Sequence, residues 1–590
     1  MRKILIAFLL ISFMGNAQTN SYKISFENAV HHEARINITF PEIKTSSLNI
    51  RMSRTSPGRY ALHEFAKNVY GFKATNSQGK TIKVVRPDPY SWKVSGHDGT
   101  INIEYTLFAN RGDGTYSQID ETHAHLNIPA TFMYAEDLEH RPVLVNFDVR
   151  EDLDWKIATQ LKEEAGTTYS APDLYYFMDS PTEISNFSMK EFDLDGQEIR
   201  FVLHHQGTEE EFSEYFDQVK RIVEQEKAVY GELPDFDYGK YTFLACYMPN
   251  ASGDGMEHRN STILTSTRSL AEGGMKGNIG TVAHEFFHAW NVERLRPDEL
   301  EPFDFAEANM TGSLWFAEGF TSYYTGLMLC RANVISQEDY INGLSGTFNY
   351  VWNSPALEYF NPIEMSYQAP FVDAATSVDP VNRENTFISY YSYGSVLGLA
   401  LDLSLRQHEL NLDDFMELMW KKYGKSEVAY KVEDIEETLK EYAGKQFASE
   451  FFKAHIYSSK RPDYQKLFES VGVKIEQKTN KDYFGASLRP SEEGLEIIRN
   501  TFKGSPAYKS GLDSGDIILS IDGNEVNTID DFQSAIQTNA SGNIKLVFKR
   551  FGKEQETALS LETNPAYSIS LDEEAPKKAL KNRKNWLEPK

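Results

Sequence analysis

Residues 281–291 read Thr281-Val282-Ala283-His284-Glu285-Phe286-Phe287-His288-Ala289-Trp290-Asn291. The pattern is H-E-x-x-H. On a helix, positions i and i+4 lie one turn apart on one face, so both imidazoles reach a single zinc ion and Glu285 stands beside its water. Zinc favours neutral imidazole nitrogen and carboxylate oxygen, and a catalytic site leaves one position open. The intervening residues Val282, Ala283, Phe286, Phe287, Ala289 and Trp290 are apolar enough to bury the rest of such a helix. Histidine is scarce, 14 in 590 residues, so a His-rich composition does not produce the pattern.

A third protein ligand is needed. The metzincin pattern requires Gly at 291 and His at 294; Asn291 and Arg294 exclude it. The remaining choice is a carboxylate from a later segment. Glu307 follows His288 by 19 residues and Glu318 by 30. Glu318 sits in Leu314-Trp315-Phe316-Ala317-Glu318-Gly319-Phe320, where an unpartnered carboxylate is costly. Glu307 precedes Ala308-Asn309-Met310-Thr311-Gly312, which reads as a loop. The setting favours Glu318 over the better-spaced Glu307.

Outward from this stretch, Thr281–Glu293, Ser313–Arg331, Tyr393–Gln407 and Val432–Tyr442 repeat apolar residues every three or four positions, the helical period. Tyr241–Tyr247 reads as a strand. Residues 166–465 are therefore expected to form an α+β, mostly helical domain. Before it, Tyr22–Phe26, Ala34–Phe40, Leu48–Met52, Thr81–Val85 and Thr100–Phe108 alternate apolar and polar residues between turn formers, which predicts an all-β, sandwich-like domain over 18–165. Nothing in that domain reads as catalytic. Residues 458–482 are polar and read as a junction; short strands and one helix resume over 478–565. The end, 566–590, is a charged tail whose basic stretch Lys577–Lys590 is expected to fray.

These residues resemble a known family. H-E-F-F-H-A-W-N, then R-P, then L-W-F-A-E-G-F-T-S-Y-Y is similar to the glycyl aminopeptidases, metallopeptidase family 61 of the gluzincin group, with a thermolysin-like catalytic fold. The resemblance covers most of the chain: a β-rich N-terminal domain, the catalytic domain and a PDZ domain. It implies one zinc ion on His284, His288 and Glu318, with Glu285 as catalytic base. Gly255-Met256-Glu257-His258 is similar to the segment with which related aminopeptidases hold a substrate's free amine, and a fixed carboxylate suits an ammonium group. In Tyr390-Tyr391-Ser392-Tyr393-Gly394, the resemblance gives Tyr391 the role of oxyanion donor. Tyr393 stands where relatives carry Lys, so Tyr390 and Tyr393 stay open for that role. The implied activity is removal of N-terminal Gly or Ala from peptides with a free N-terminus. An endopeptidase with the same zinc chemistry and a non-catalytic, PDZ-bearing peptide-binding protein are the alternatives.

Tyr483-Phe484-Gly485-Ala486, Gly504-Ser505-Pro506-Ala507 and the run Ser510–Gly523 look like a bacterial PDZ domain. Such domains take a peptide as an added strand, and Tyr483–Ala486 is the candidate loop for its carboxylate.

The first residues, MRKILIAFLLISFMGNAQ, carry basic Arg2 and Lys3, an apolar run too short to span a bilayer, and small residues at Gly15 and Ala17. They read as a signal peptide, residues 1–17, with no Cys to take a lipid anchor. The mature chain is expected to be periplasmic or secreted, without a membrane span. Removing residues 1–17 takes the net charge from −26 to −28, a surface that repels nucleic acid. The two cysteines, Cys246 and Cys330, have apolar neighbours and read as buried free thiols rather than a disulfide framework.

Overall fold

The structure, a computed structural model, describes residues 18–374, 379–538 and 543–590; the signal reading at 1–17 lies outside them. The described chain divides into two compact units. One holds the residues up to Pro57, with Glu64–Met189 and Val202–His204. The other holds Gly58–His63, Lys190–Phe201 and His205–Lys590.

The first unit is β-rich. Seven strands run in the order Lys162–Ala165, Thr168–Ala171, Val143–Asp148, Asn20–Asn28, Glu33–Phe40, Ile101–Phe108, Val69–Thr75. Alternation explains the register. Ile24, Ile36 and Tyr105 stand abreast across three strands and are all buried. Two further sheets of four strands each complete the unit. In one of them, His123–Leu126 pairs antiparallel with Thr182–Ser185.

The second unit begins with a five-stranded sheet. Lys240–Tyr247 pairs parallel with Ser261–Ser266, and Asp254–His258 lies antiparallel beside the latter at the sheet edge. The helix α1 (Glu209–Tyr230) starts on a capping box, in which Thr208 and Glu211 satisfy each other's backbone N–H. The zinc-motif helix α2 spans Ile279–Phe287, α3 spans Leu314–Arg331, and α4 spans Tyr390–Gln407.

α2 stops six residues short of the expected Glu293. His288 is its cap, and the chain turns away at Val292 with φ 131°. Asn291 holds the turn. Its buried amide donates to the carbonyls of Phe316 and Ala317 and to Thr321 Oγ1, so the segment after the motif is tied to α3 beside Glu318.

Toward the end of the chain lies a PDZ-type domain. Its sheet runs Leu488–Pro490, Leu495–Ile497, Ile517–Ile521, Asn543–Arg550, Lys553–Ser560 over a core of Phe484, Leu495, Ile518, Phe532 and Leu546. The stretches on either side of it are ordered. The polar junction contains a helix, Tyr464–Glu469, and a strand, Val473–Gln477, which pairs with Tyr567–Leu571. The basic end does not fray. It forms helix α5 (Lys577–Leu587), and Trp586 and Leu587 are fully buried. Cys246 and Cys330 are buried and join no disulfide; burial pushes the Cys330 thiol up to about 11. No helix among the described residues is long and apolar enough to cross a membrane.

Candidate active site

α2 presents His284 and His288 on one face, and α3 brings Glu318 to meet them. The Nε2 atoms of the two histidines are 3.1 Å apart, and Glu318 Oε2 lies 3.4 Å from His284 Nε2 and 3.1 Å from His288 Nε2. Each imidazole is anchored by its other nitrogen. His288 Nδ1 is 2.5 Å from the Asn291 carbonyl, which can only accept, so Nδ1 carries the proton. His284 Nδ1 is 3.2 Å from Thr325 Oγ1, whose own proton goes to the Thr321 carbonyl. Both Nε2 lone pairs therefore point inward, and outward N–H groups held on oxygen are the usual support of metal-binding histidines.

The three inward atoms fit a zinc ion. Bond lengths of about 2.0–2.1 Å about a tetrahedral centre place ligand atoms about 3.3–3.4 Å apart, which the observed separations match. Glu307, the rival in sequence, is exposed in a loop. A residue not foreseen supports Glu318 from behind: the buried Tyr60 hydroxyl donates to its Oε1 at 2.9 Å. Tyr60 belongs to Gly58–His63, the short segment that packs with the catalytic unit. Neither spacing nor periodicity marks it in the sequence.

Two further carboxylates line the pocket. Glu285 and Glu257 are buried, and Glu285 Oε2 and Glu257 Oε1 have no hydrogen-bond partner among the described residues. Ligand atoms of Glu257, Glu285 and His288 lie within 4.8 Å of one another. Glu257 and Met256 sit on the edge strand Asp254–His258 with Gly255, which has no room for a side chain: a Cβ there would collide with Glu285 Oε1.

Electrostatics follow from this crowding. Burial pushes Glu285 and Glu257 above the ordinary carboxylate range. Burial alone would lower His288, but the Glu318 and Glu257 charges carry it above its usual value. Burial would also raise Glu318, yet His288 and His284 hold it well below that range. A largely buried pocket with three carboxylates and two imidazoles suits a divalent cation.

At the start of α4, the Tyr391 ring centroid is 5.9 Å from that of His284, and Tyr390 stacks behind Tyr391 at 4.5 Å. Tyr393 faces Ser459 instead, and burial pushes its hydroxyl up to about 12.

The family models match in the order the domains fold. Residues 21–186 match the Peptidase M61 N-terminal domain, residues 277–397 the M61 glycyl aminopeptidase, and residues 500–550 a PDZ domain. Two stretches of the chain thus match the two M61 peptidase domains, in the order in which those domains are named. The chain is an enzyme, a metallopeptidase of the aminopeptidase type. None of the curated proteins compared with it matches. Among solved structures, an aminopeptidase N family protein from Idiomarina loihiensis is 23% identical, with a TM-score of 0.86 over 97% of this chain and 100% of that one. That likeness shows a common fold. An M1 zinc metallopeptidase from Deinococcus radiodurans is 12% identical, with a TM-score of 0.41 over 74% of this chain and 93% of that one.

Proposed function

We propose that this peptidase is a zinc-dependent aminopeptidase that removes small N-terminal residues, Gly and Ala, from peptides. His284, His288 and Glu318 hold one zinc ion, which when bound polarises the scissile carbonyl and makes a neighbouring water more acidic. Glu285 takes a proton from that water at Oε2, which has no partner among the described residues, and returns it to the leaving amine. Its burial favours this, because a raised carboxyl pKa approaches the working pH of a general base. The Tyr391 hydroxyl donates a hydrogen bond to the developing oxyanion. Glu257 receives the substrate's ammonium group, and Gly255 and Met256 shape the strand beside it; Gly255 leaves Glu285 its place.

The observation that carries this reading is the convergence of His284, His288 and Glu318 within 3.4 Å, beside two buried carboxylates that each have one oxygen without a hydrogen-bond partner among the described residues. The preference for small residues rests on the glycyl aminopeptidase match. A peptide added as a strand beside Leu488–Pro490, an edge of its sheet, is the proposed ligand of the PDZ domain, with Tyr483–Ala486 receiving its carboxylate. Export to the periplasm or medium is proposed on residues 1–17.

The test is turnover of glycyl and alanyl substrates, free and N-acetylated, with and without a chelator. Free substrates are expected to be cleaved, acetylated ones spared, and chelation to stop the reaction. Equal cleavage of acetylated substrates overturns the aminopeptidase reading in favour of an endopeptidase. Glu285→Gln is expected to keep one zinc in the site and lower kcat by at least 10²-fold; retained turnover removes Glu285 as the base.

A further inference from the structure

A cavity of about 380 Å³ adjoins the candidate active site. Its wall includes Gly253, Asp254 and Gly255 from the start of the edge strand, Arg268, and Gly277 and Thr281 from the chain leading through α2. A Cβ on Gly255 would strike both Glu285 Oε1 and Thr281 Cγ2, so Glu285, Gly255 and Thr281 meet at one edge of the cavity.

The edge strand gives the cavity a direction. Glu257 and Gly255 are two residues apart on it and so face the same side, about 7 Å apart along the strand. A peptide with its amine on Glu257 and its first carbonyl beside Glu285 therefore sends its remaining residues past Gly255 toward Asp254 and Gly253, into the cavity.

The lining holds one carboxylate and one guanidinium, and only the carboxylate is paired. Asp254 forms an ion pair with Arg59. Arg268 is exposed; its backbone N–H donates to Ser266 Oγ, and its carbonyl accepts from Asn278 Nδ2. Its guanidinium packs against Gly277 and has no ion pair or hydrogen bond among the described residues. In a chain of net charge −26, an unpaired cation on a cavity wall favours an anionic ligand. A guanidinium takes a carboxylate on two parallel N–H groups, and a leaving peptide ends in a carboxylate.

The spacing sets a length. Gly277, Thr281 and Glu285 follow one another at four-residue intervals, and Asn278 between them keeps right-handed helical angles, φ −97° and ψ −19°. The stretch from Gly277 to Glu285 spans about 12 Å at the helical rise. A hydrogen bond to the guanidinium takes about 3 Å of it. The remaining 9 Å or so holds two to three extended residues at about 3.3–3.6 Å each.

We infer that this cavity receives the leaving peptide and that Arg268 binds its C-terminal carboxylate, so that the substrates are short peptides of three or four residues with both ends free. The inference rests on the aminopeptidase reading and adds a second recognition point to it. Glu257 takes one end of the peptide and Arg268 the other, and the distance between them selects the length.

The test compares the zinc-loaded full-length chain on alanyl-glycyl-glycine, on the C-terminal amide of that tripeptide, and on alanine p-nitroanilide, which has no carboxylate. The free tripeptide is expected to have a kcat/KM about 5–10-fold above that of its amide, the scale of one charged contact near the surface, with the ratio shrinking in high salt. Arg268→Gln is expected to bring the two rates together by slowing the free tripeptide. Along a series from two to six residues, kcat/KM is expected to peak at three or four. Equal rates for the free and amidated tripeptide in the unaltered protein overturn the inference. So does a difference that persists in Arg268→Gln, or a kcat/KM that rises through six residues. If the p-nitroanilide and the peptides all stay uncut, the aminopeptidase reading falls and this inference with it; cleavage of the p-nitroanilide with no effect of amidation strikes Arg268 alone.

Discussion

The two oxygens of Glu318 do different work. Oε2 faces the imidazoles, and Oε1 accepts a hydrogen bond from the Tyr60 hydroxyl. Without the hydroxyl, the carboxylate keeps its place on α3 but loses its fixed rotation. Tyr60→Phe is therefore expected to weaken zinc binding by about 10–100-fold, the usual effect of removing an outer support. Competition against a chelator measures it; unchanged affinity means that packing alone orients Glu318. At this scale the sequence is uneven. H-E-x-x-H was legible because its spacing is the chemistry. Glu318 was legible because a carboxylate among Trp, Phe and Ala needs a reason. Tyr60 was not, because a tyrosine in a Pro- and Gly-containing loop looks like any other until the loop is placed.

Between α3 and α4, two glycines let the backbones touch. A Cβ at Gly394 would strike the Trp315 carbonyl and the Cα of Gly319. Gly319 follows Glu318, and Gly394 lies three residues after Tyr391, so this contact sets how far the carboxylate stands from the tyrosine. Gly394→Ala is expected to destabilise the fold by about 1–3 kcal/mol, the range for overpacking. It should also lower kcat more than it raises KM, because the displaced Tyr391 hydroxyl is the proposed oxyanion donor. Urea unfolding and steady-state kinetics check the two halves; a variant with normal stability and kcat removes the close approach as a constraint. Apolar periodicity found α3 to within one residue at its start, since a long, evenly apolar helix announces itself. It overran α2, because the stop comes from Asn291 bonding to another helix, a tertiary event with no local pattern. The tail was missed for the opposite reason: charge dominates Lys577–Lys590, and Trp586 with Leu587 is a small apolar signal inside it.

That tail links the far ends of both site helices. Arg331, the last residue of α3, donates to the Trp586 carbonyl at 3.0 Å and pairs with Asp413 at 2.9 Å. Arg406, near the end of α4, donates to the Asn585 carbonyl at 3.2 Å. The Trp586 indole donates to Tyr323 Oη at 2.9 Å, and Lys590 pairs with Asp413. Trp586→Ala removes a fully buried side chain and is expected to cost about 3–5 kcal/mol, seen as a lower unfolding midpoint. Asp413 adds a pH dependence. Burial alone would raise its carboxyl, but Arg331 and Lys590 hold it well below the ordinary range. A group depressed on folding stabilises the protein above its unfolded pKa, about 3.9, and that contribution fades as pH falls below it. Asp413→Asn should thus destabilise the protein at pH 7 and flatten the loss of stability between about pH 4 and pH 2. Deleting residues 577–590 removes Lys590 and the carbonyl acceptors together, leaving Arg331 and Asp413 with each other. The truncated chain is expected to unfold at lower temperature and to lose zinc affinity with it, since Arg331 and Glu318 share one helix. A truncated protein with native stability and native zinc affinity would show that the tail only covers a surface already held by α3 and α4.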